Sequence, residues 1–153
     1  MSRAFVRESD HPEPLPERIV SAHPNLVTPA GLQRIETQVR DLEAARESSK
    51  ASEDATELAR IARDLRYWSQ RRASARVIEA PPHPDVIRFG VKVTLRFEDG
   101  REQAYRLVGE DEADPAQGLV SWASPLAETL IGHRQGDEVS ALGSRAEITR
   151  LES

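Results

Sequence analysis

Three patterns of apolar and polar positions succeed one another along the chain. In residues 1–27, Pro12, Pro14, Pro16 and Pro24 break every run long enough for a helix, and no strand alternation survives between them. A flexible, extended or polyproline-like leader is expected. Within it, Arg3-Ala4-Phe5-Val6 is a short run that could dock on another surface. From Thr28 the pattern becomes helical. Leu32, Ile35, Val39 and Leu42 recur in steps of three, four and three, which places them on one helix face. Thr28 supplies a hydroxyl cap, and Pro29 suits the first helical position. The stripe fails at Arg46 and Ser49, residues 47–52 are polar, and Leu58, Ile61, Leu65 and Trp68 then resume the stepping. Neither stripe can be buried alone. Residues 28–76 are therefore predicted to form an antiparallel coiled-coil hairpin. Its arms of about 20 residues would be roughly 30 Å long at a rise of 1.5 Å per residue. Its tip falls near residues 48–54, and Trp68 falls at the open end, toward the C-terminal domain.

Residues 77–153 read differently. Pro81, Pro82 and Pro84 mark a linker. Residues 91–97 alternate with period two, Asp99-Gly100 is a hairpin-turn signal, and residues 103–108 return as the partner strand. Residues 118–122 make a third strand. Ser124-Pro125 starts a short helix that carries Leu126, Leu130 and Ile131 and stops at Gly132. Two further short strands, residues 138–142 and 146–151, flank Gly143. The expected class is α+β: a helical hairpin and then a small, mostly antiparallel β domain with one short helix.

Composition sharpens this outline. Of 153 residues, 38% are hydrophobic and 31% charged, which suits an elongated molecule with a thin core. Cysteine is absent, so disulfides, thiol nucleophiles and Cys-based zinc sites are excluded. A net charge of -5 argues against a duplex-DNA binder held by phosphate neutralisation. The charge is uneven. Residues 28–76 carry ten basic and eight acidic side chains, and residues 77–153 carry eight and fourteen, which suggests two surfaces for two partners. No apolar run has membrane-spanning or signal-peptide character, so a cytoplasmic protein with no membrane partner is expected. His11, His23, His83 and His133 have no metal-ligand spacing, and Ser124 lacks a nucleophile elbow.

Three clusters remain as candidate chemistry. Glu53 and Asp54 are adjacent acids at the hairpin tip; they could take part in metal chemistry or simply cap the second helix, since residues 54–57 resemble a capping box. Arg60, Arg63 and Arg66 lie along one drifting face of that helix, where they could track a phosphate backbone or pair with Glu57 and Asp64. Glu110, Asp111, Glu112 and Asp114 form an acidic loop, either solvated or facing a basic partner; a calcium loop is a weaker third reading, since the spacing does not match the EF-hand pattern.

The motifs carry a resemblance. Phe89-Gly90, the run Tyr105-Arg106-Leu107-Val108-Gly109-Glu110-Asp111-Glu112-Ala113-Asp114, Ser124-Pro125-Leu126-Ala127, Leu130-Ile131-Gly132 and Gly136-Asp137 occur in the order found in the C-terminal domain of the GreA/GreB bacterial transcription elongation factors. The resemblance covers about residues 27–151 and implies an FKBP-like C-terminal domain, residues 77–153. It implies a factor that binds bacterial RNA polymerase at the rim of its secondary channel and is not itself an enzyme, and a seam satisfied within one hairpin suits a monomer. Asp111, Glu112, Ala113, Asp114, Ser124, Pro125 and Leu126 are the matching polymerase-binding positions. In the family, acids at the hairpin tip help hold a second Mg2+ in the polymerase active site, which then cleaves its own backtracked RNA. Glu53 and Asp54 stand where such acids are expected, although the family's Gly-Asp-x-x-Glu-Asn tip motif is missing. Arg60, Arg63 and Arg66 correspond to a basic patch that contacts the extruded RNA 3′ end. The hairpin is also shorter than in a typical GreA by about twenty residues, or on the order of 10 to 15 Å per arm. In this it is similar to the nucleoside diphosphate kinase regulator family. Cleavage stimulation and channel occupancy without cleavage are both open on these grounds. A prolyl isomerase, suggested by the FKBP-like fold alone, would need Phe89, Phe97, Tyr105 and Trp122 to line an open pocket.

Overall fold

In the computed structural model, which describes residues 14–153, the helical hairpin is made by α1 (Pro29–Ser49) and α2 (Ala55–Ser74). Thr28 caps α1 by accepting the Gly31 amide at 3.0 Å, with Pro29 in the first turn. Asp54 caps α2 by accepting the Glu57 amide at 3.1 Å. Ile35, Val39, Ile61 and Leu65 are buried between the arms, while Leu32, Leu42, Leu58 and Trp68 flank them half-buried. The apolar stepping thus closes within one chain. At 1.5 Å per residue each arm is about 30 Å long.

A feature with no sequence signal joins the two ends of the hairpin. β1 (Leu26–Val27) and β2 (Arg76–Val77) pair in parallel, Leu26 with Arg76 and Val27 with Val77. The Arg76 amide also donates to the Asn25 carbonyl, and the Ile78 amide to the Val27 carbonyl, each at 2.9 Å. The chain therefore enters and leaves the hairpin side by side.

The C-terminal sheet contains β3 (Lys92–Phe97), β4 (Glu102–Val108), β5 (Leu119–Ser121), β6 (Glu138–Ala141) and β7 (Ser144–Glu152), in the order β5-β4-β3-β7-β6. The sheet is mostly antiparallel as expected, except at β5, which joins β4 in parallel. The reason is connectivity: two single turns of 3-10 helix, Glu110–Glu112 and Pro115–Gln117, carry the chain back between β4 and β5. Helix α3 (Pro125–Leu130) starts at Ser124, whose hydroxyl accepts the Ala127 amide at 3.2 Å. Inward positions of the alternating strands, Val93, Leu95, Phe97, Tyr105, Leu107 and Ile148, form the core with Ile87, Val120, Ala127 and Leu130. Phe89, Phe97 and Tyr105 are thus closed into the interior and line no open aromatic pocket.

The leader expected to be flexible is fastened from Glu17 onward. Glu17 pairs with Arg66, and the Arg18 guanidinium lies 3.9 Å from the centre of the Tyr67 ring. Asn25 is buried. Arg3-Ala4-Phe5-Val6 and His11 lie outside the described residues.

Candidate functional site: tip, basic arm and joint

At the tip, residues 50–54 connect the helices. Glu53 is exposed. Asp54 is exposed too, but one of its oxygens is engaged as the α2 cap, and its own amide donates to the Ser52 hydroxyl at 3.1 Å. Among the described residues, no three His, Asp or Glu side chains gather closely enough to hold a metal ion. The tip can contribute carboxylates to a metal but cannot enclose one.

Along α2, the arginines expected to meet RNA are matched by acids of the same chain. Arg60 forks onto Glu57, with Nε 3.0 Å and Nη2 2.6 Å from its carboxylate. Arg63 contacts Asp64 at 3.0 Å, and Arg66 holds Glu17 of the leader. The hydrogen bonds from Arg60 and Arg66 hold the Glu57 and Glu17 carboxyls below their ordinary range. The Arg60–Glu57 and Arg66–Glu17 pairs are exposed, where such contacts contribute little and yield to a stronger anion, while Arg63–Asp64 is half-buried. The row is therefore a neutralised stripe with exchangeable partners.

Within the acidic loop, Asp111 and Glu112 face inward and join the hairpin to the sheet domain. Glu112 is 6% exposed. Its carboxylate accepts the Thr28 amide at 3.1 Å, the Gly109 amide at 2.9 Å and the Thr28 hydroxyl. A carboxylate at the start of α1 is favoured by the unpaired amides and dipole there. Two glycines make room for it: a Cβ at Gly31 would lie 2.2 Å from the Glu112 carboxyl carbon, and one at Gly109 would lie 2.9 Å from Glu112 Oε2 as well as 2.4 Å from the Leu26 carbonyl.

Asp111 binds the other helix. It accepts Arg71 Nε and the Tyr67 hydroxyl, each at 2.5 Å. Arg71, 2% exposed, also donates to the Asn25 side-chain oxygen at 2.8 Å and lies 3.9 Å from Glu110. Burial first, and then the hydrogen bond to Asp111, push the Tyr67 hydroxyl up to about 12. Ser21 donates to Glu110 at 3.0 Å, and His23 meets Trp122 edge to face. Tyr67, Arg71, Asn25 and Trp122 carry no motif that singles them out in the sequence as site residues. An arginine that continues the apolar stepping of α2 is the available signal for the first of these contacts. Beside this joint, Trp68, Ile35, Arg34, Gln38, Asp111 and Glu112 line an open groove of about 640 Å3.

Outward from the joint lie the exposed Ala113 and the half-exposed Asp114. Asp114 bridges to Leu119 at the start of β5, and the Ser124 amide closes a turn on the Ser121 carbonyl at its end. One three-residue strand thus lies between the Asp114 loop and the Ser124-Pro125-Leu126 corner. Pro125 is exposed and Leu126 half-buried.

The family described as "Transcription elongation factor, GreA/GreB, C-term" matches residues 81–149. Transcription elongation factor GreA of Desulfovibrio desulfuricans is 34% identical over 137 residues, covering 86% of this chain and 79% of that protein. Transcription elongation factor GreB of Neisseria meningitidis serogroup B is 46% identical over 81 residues, covering 52% of this chain and 50% of the other, so the match spans about half the length of that relative. Among solved structures, the prokaryotic transcription elongation factor GreA/GreB from Nitrosomonas europaea superposes with a TM-score of 0.41 at 19% identity, covering 84% of this chain and 98% of that one. Among the described residues, no helix is long and apolar enough to cross a membrane.

Proposed function

The chain belongs to the GreA/GreB family, and on that premise we propose that it is a transcription elongation factor that docks through its C-terminal domain on the rim of the RNA polymerase secondary channel and extends its hairpin inward. The observation that carries the reading is mechanical. A 20-residue helical arm is mounted by buried ionic contacts on the domain that bears the family match. The docking surface is the outward part of the two loops flanking β5, namely Ala113, Asp114, Ser124, Pro125 and Leu126. Asp111 and Glu112 support it from within. The factor acts as a monomer, since its apolar seam is closed within one chain.

At the far end stand Glu53 and Asp54, and two forms of action are open to them. In one form of action they supply carboxylates to a Mg2+ that the polymerase also holds, and the polymerase cleaves its backtracked RNA. Arg60, Arg63 and Arg66 would then exchange their surface carboxylates for phosphates of the RNA 3′ end. In the other form the hairpin occupies the channel and modulates elongation without cleavage. The engagement of Asp54 as a helix cap and arms of only about 30 Å favour this second form.

Stalled, backtracked elongation complexes separate the two. Magnesium-dependent cleavage by the parent chain, lost in Glu53→Ala/Asp54→Ala, establishes the first. Absence of cleavage, with displacement of GreA from polymerase retained, establishes the second. Failure to compete with GreA for polymerase at all would refute the reading.

A further inference from the structure

We propose that Glu112 is a positioning residue for the arm: its buried carboxylate fixes the direction in which the hairpin leaves the C-terminal domain, and so decides whether a docked factor delivers its tip. This rests on the reading of a channel-entering arm. Glu112 belongs to the sheet domain, in a 3-10 turn closed by its own amide on the Gly109 carbonyl at 3.0 Å. Its carboxylate nevertheless completes the first turn of α1 through Thr28, whose hydroxyl also accepts the Gly31 amide. And Gly31 and Gly109 both leave the space that the carboxylate fills.

Asp111, the preceding residue, holds α2 through Tyr67 and Arg71. Consecutive carboxylates of one turn therefore grip the two helices of the hairpin separately. Two attachments on different helices resist rotation in a way that one cannot. The leverage is large. With a tip about 30 Å away, a change of about 20° at the base moves it by roughly 10 Å. Catalytic constellations lose about a hundredfold in rate from misplacements on the order of 1 Å.

The absence of native cysteine allows a direct test. Ser52→Cys at the tip and Ser144→Cys in the sheet domain take spin labels in the full-length chain, and pulsed dipolar spectroscopy reads the distance distribution between them. A narrow distribution is expected for the parent. It should widen at least twofold in Glu112→Ala and stay close to parental in Glu112→Gln, which keeps an oxygen for the two amides. In elongation complexes, Thr28→Val, which lies outside the docking loops, should bind polymerase within about threefold of the parent while its maximal effect on backtracked complexes falls tenfold or more, and Glu112→Gln should keep most of the parental effect. Should Glu112→Ala not fold, Thr28→Val, which leaves the sheet domain untouched, must produce the same widening.

An unchanged distance distribution in the folded variant overturns the proposal, as does a loss of polymerase binding that parallels the loss of effect. The label distances are read on the free protein. If the parent chain does not bind polymerase, the functional reading fails while the joint is still judged.

Discussion

Arg71→Ala tests the energetics of the joint most directly. The guanidinium is 2% exposed, donates to Asp111 at 2.5 Å and to Asn25 at 2.8 Å, and lies 3.9 Å from Glu110. Removing it leaves two adjacent carboxylates, 11% and 25% exposed, without their cation. Breaking a buried pair by deleting one partner costs about 3–5 kcal/mol. Asp111 keeps the Tyr67 hydroxyl and both carboxylates keep some water, so the lower end, about 3 kcal/mol, is expected. For a chain of this size that corresponds to a fall in Tm of roughly 6–12 °C. Urea unfolding monitored by tryptophan fluorescence measures it, because Trp68 is on the hairpin and Trp122 on the sheet domain. The control is a cycle with Asp111→Ala and the double variant, in which the pair should couple by about 1.5 kcal/mol or more. A loss below about 1 kcal/mol for Arg71→Ala, or coupling below about 0.5 kcal/mol, would show that the joint is not held by this pair and refute the reasoning.

Tyr67 ionises at about 12 in the folded chain against 10.0 ordinarily, so its contribution is present in full below pH 10 and is lost as pH rises toward 12, because the unfolded chain releases the proton first. The ring is partly exposed, which limits the loss to on the order of 1 kcal/mol; stability measured from about pH 8 to about pH 11 should fall less in Tyr67→Phe, and equal slopes would remove Tyr67 as the cause. Leu142, 64% exposed, has φ 53° and precedes Gly143 at φ 77°, a left-handed pair that favours Asn-Gly. Leu142→Asn should therefore raise stability by about 0.5–1 kcal/mol in denaturant titration, and a decrease would contradict the strain assigned to that turn.

The elements legible in the sequence are those whose pattern is local. Thr28-Pro29 and Ser124-Pro125 each start a helix, and the stepping of Leu32, Ile35 and Val39 and of Ile61 and Leu65 marks the faces that become buried. The joint was not legible, because its contacts link residues 40 to 84 positions apart. Glu110, Asp111, Glu112 and Asp114 read as one acidic loop, yet the fold turns Asp111 and Glu112 inward and leaves Asp114 at the edge of β5. Only a partner chemistry that is itself buried distinguishes them. Arg71 was the clue: the apolar stepping of Ile61, Leu65 and Trp68 arrives at it, and a charge on a buried face demands a counter-charge. Gly31 was another, since a glycine in the first turns of a helix is costly unless something must pass close by. β1 and β2, two residues each, are too short to carry a period.

The pairing of β1 with β2 brings the two ends of the hairpin together below every helical turn. The base is thereby complete without reference to how far the helices run beyond it. Adding or removing about seven residues in each helix preserves the apolar face and changes the reach by about 10 Å, while the parallel pair, Glu112 and Arg71 keep their places. Arm length is thus a free variable of this architecture, open to change by paired insertions or deletions near residues 50–54. A lengthened version of this chain is therefore a graft that its fold already accommodates.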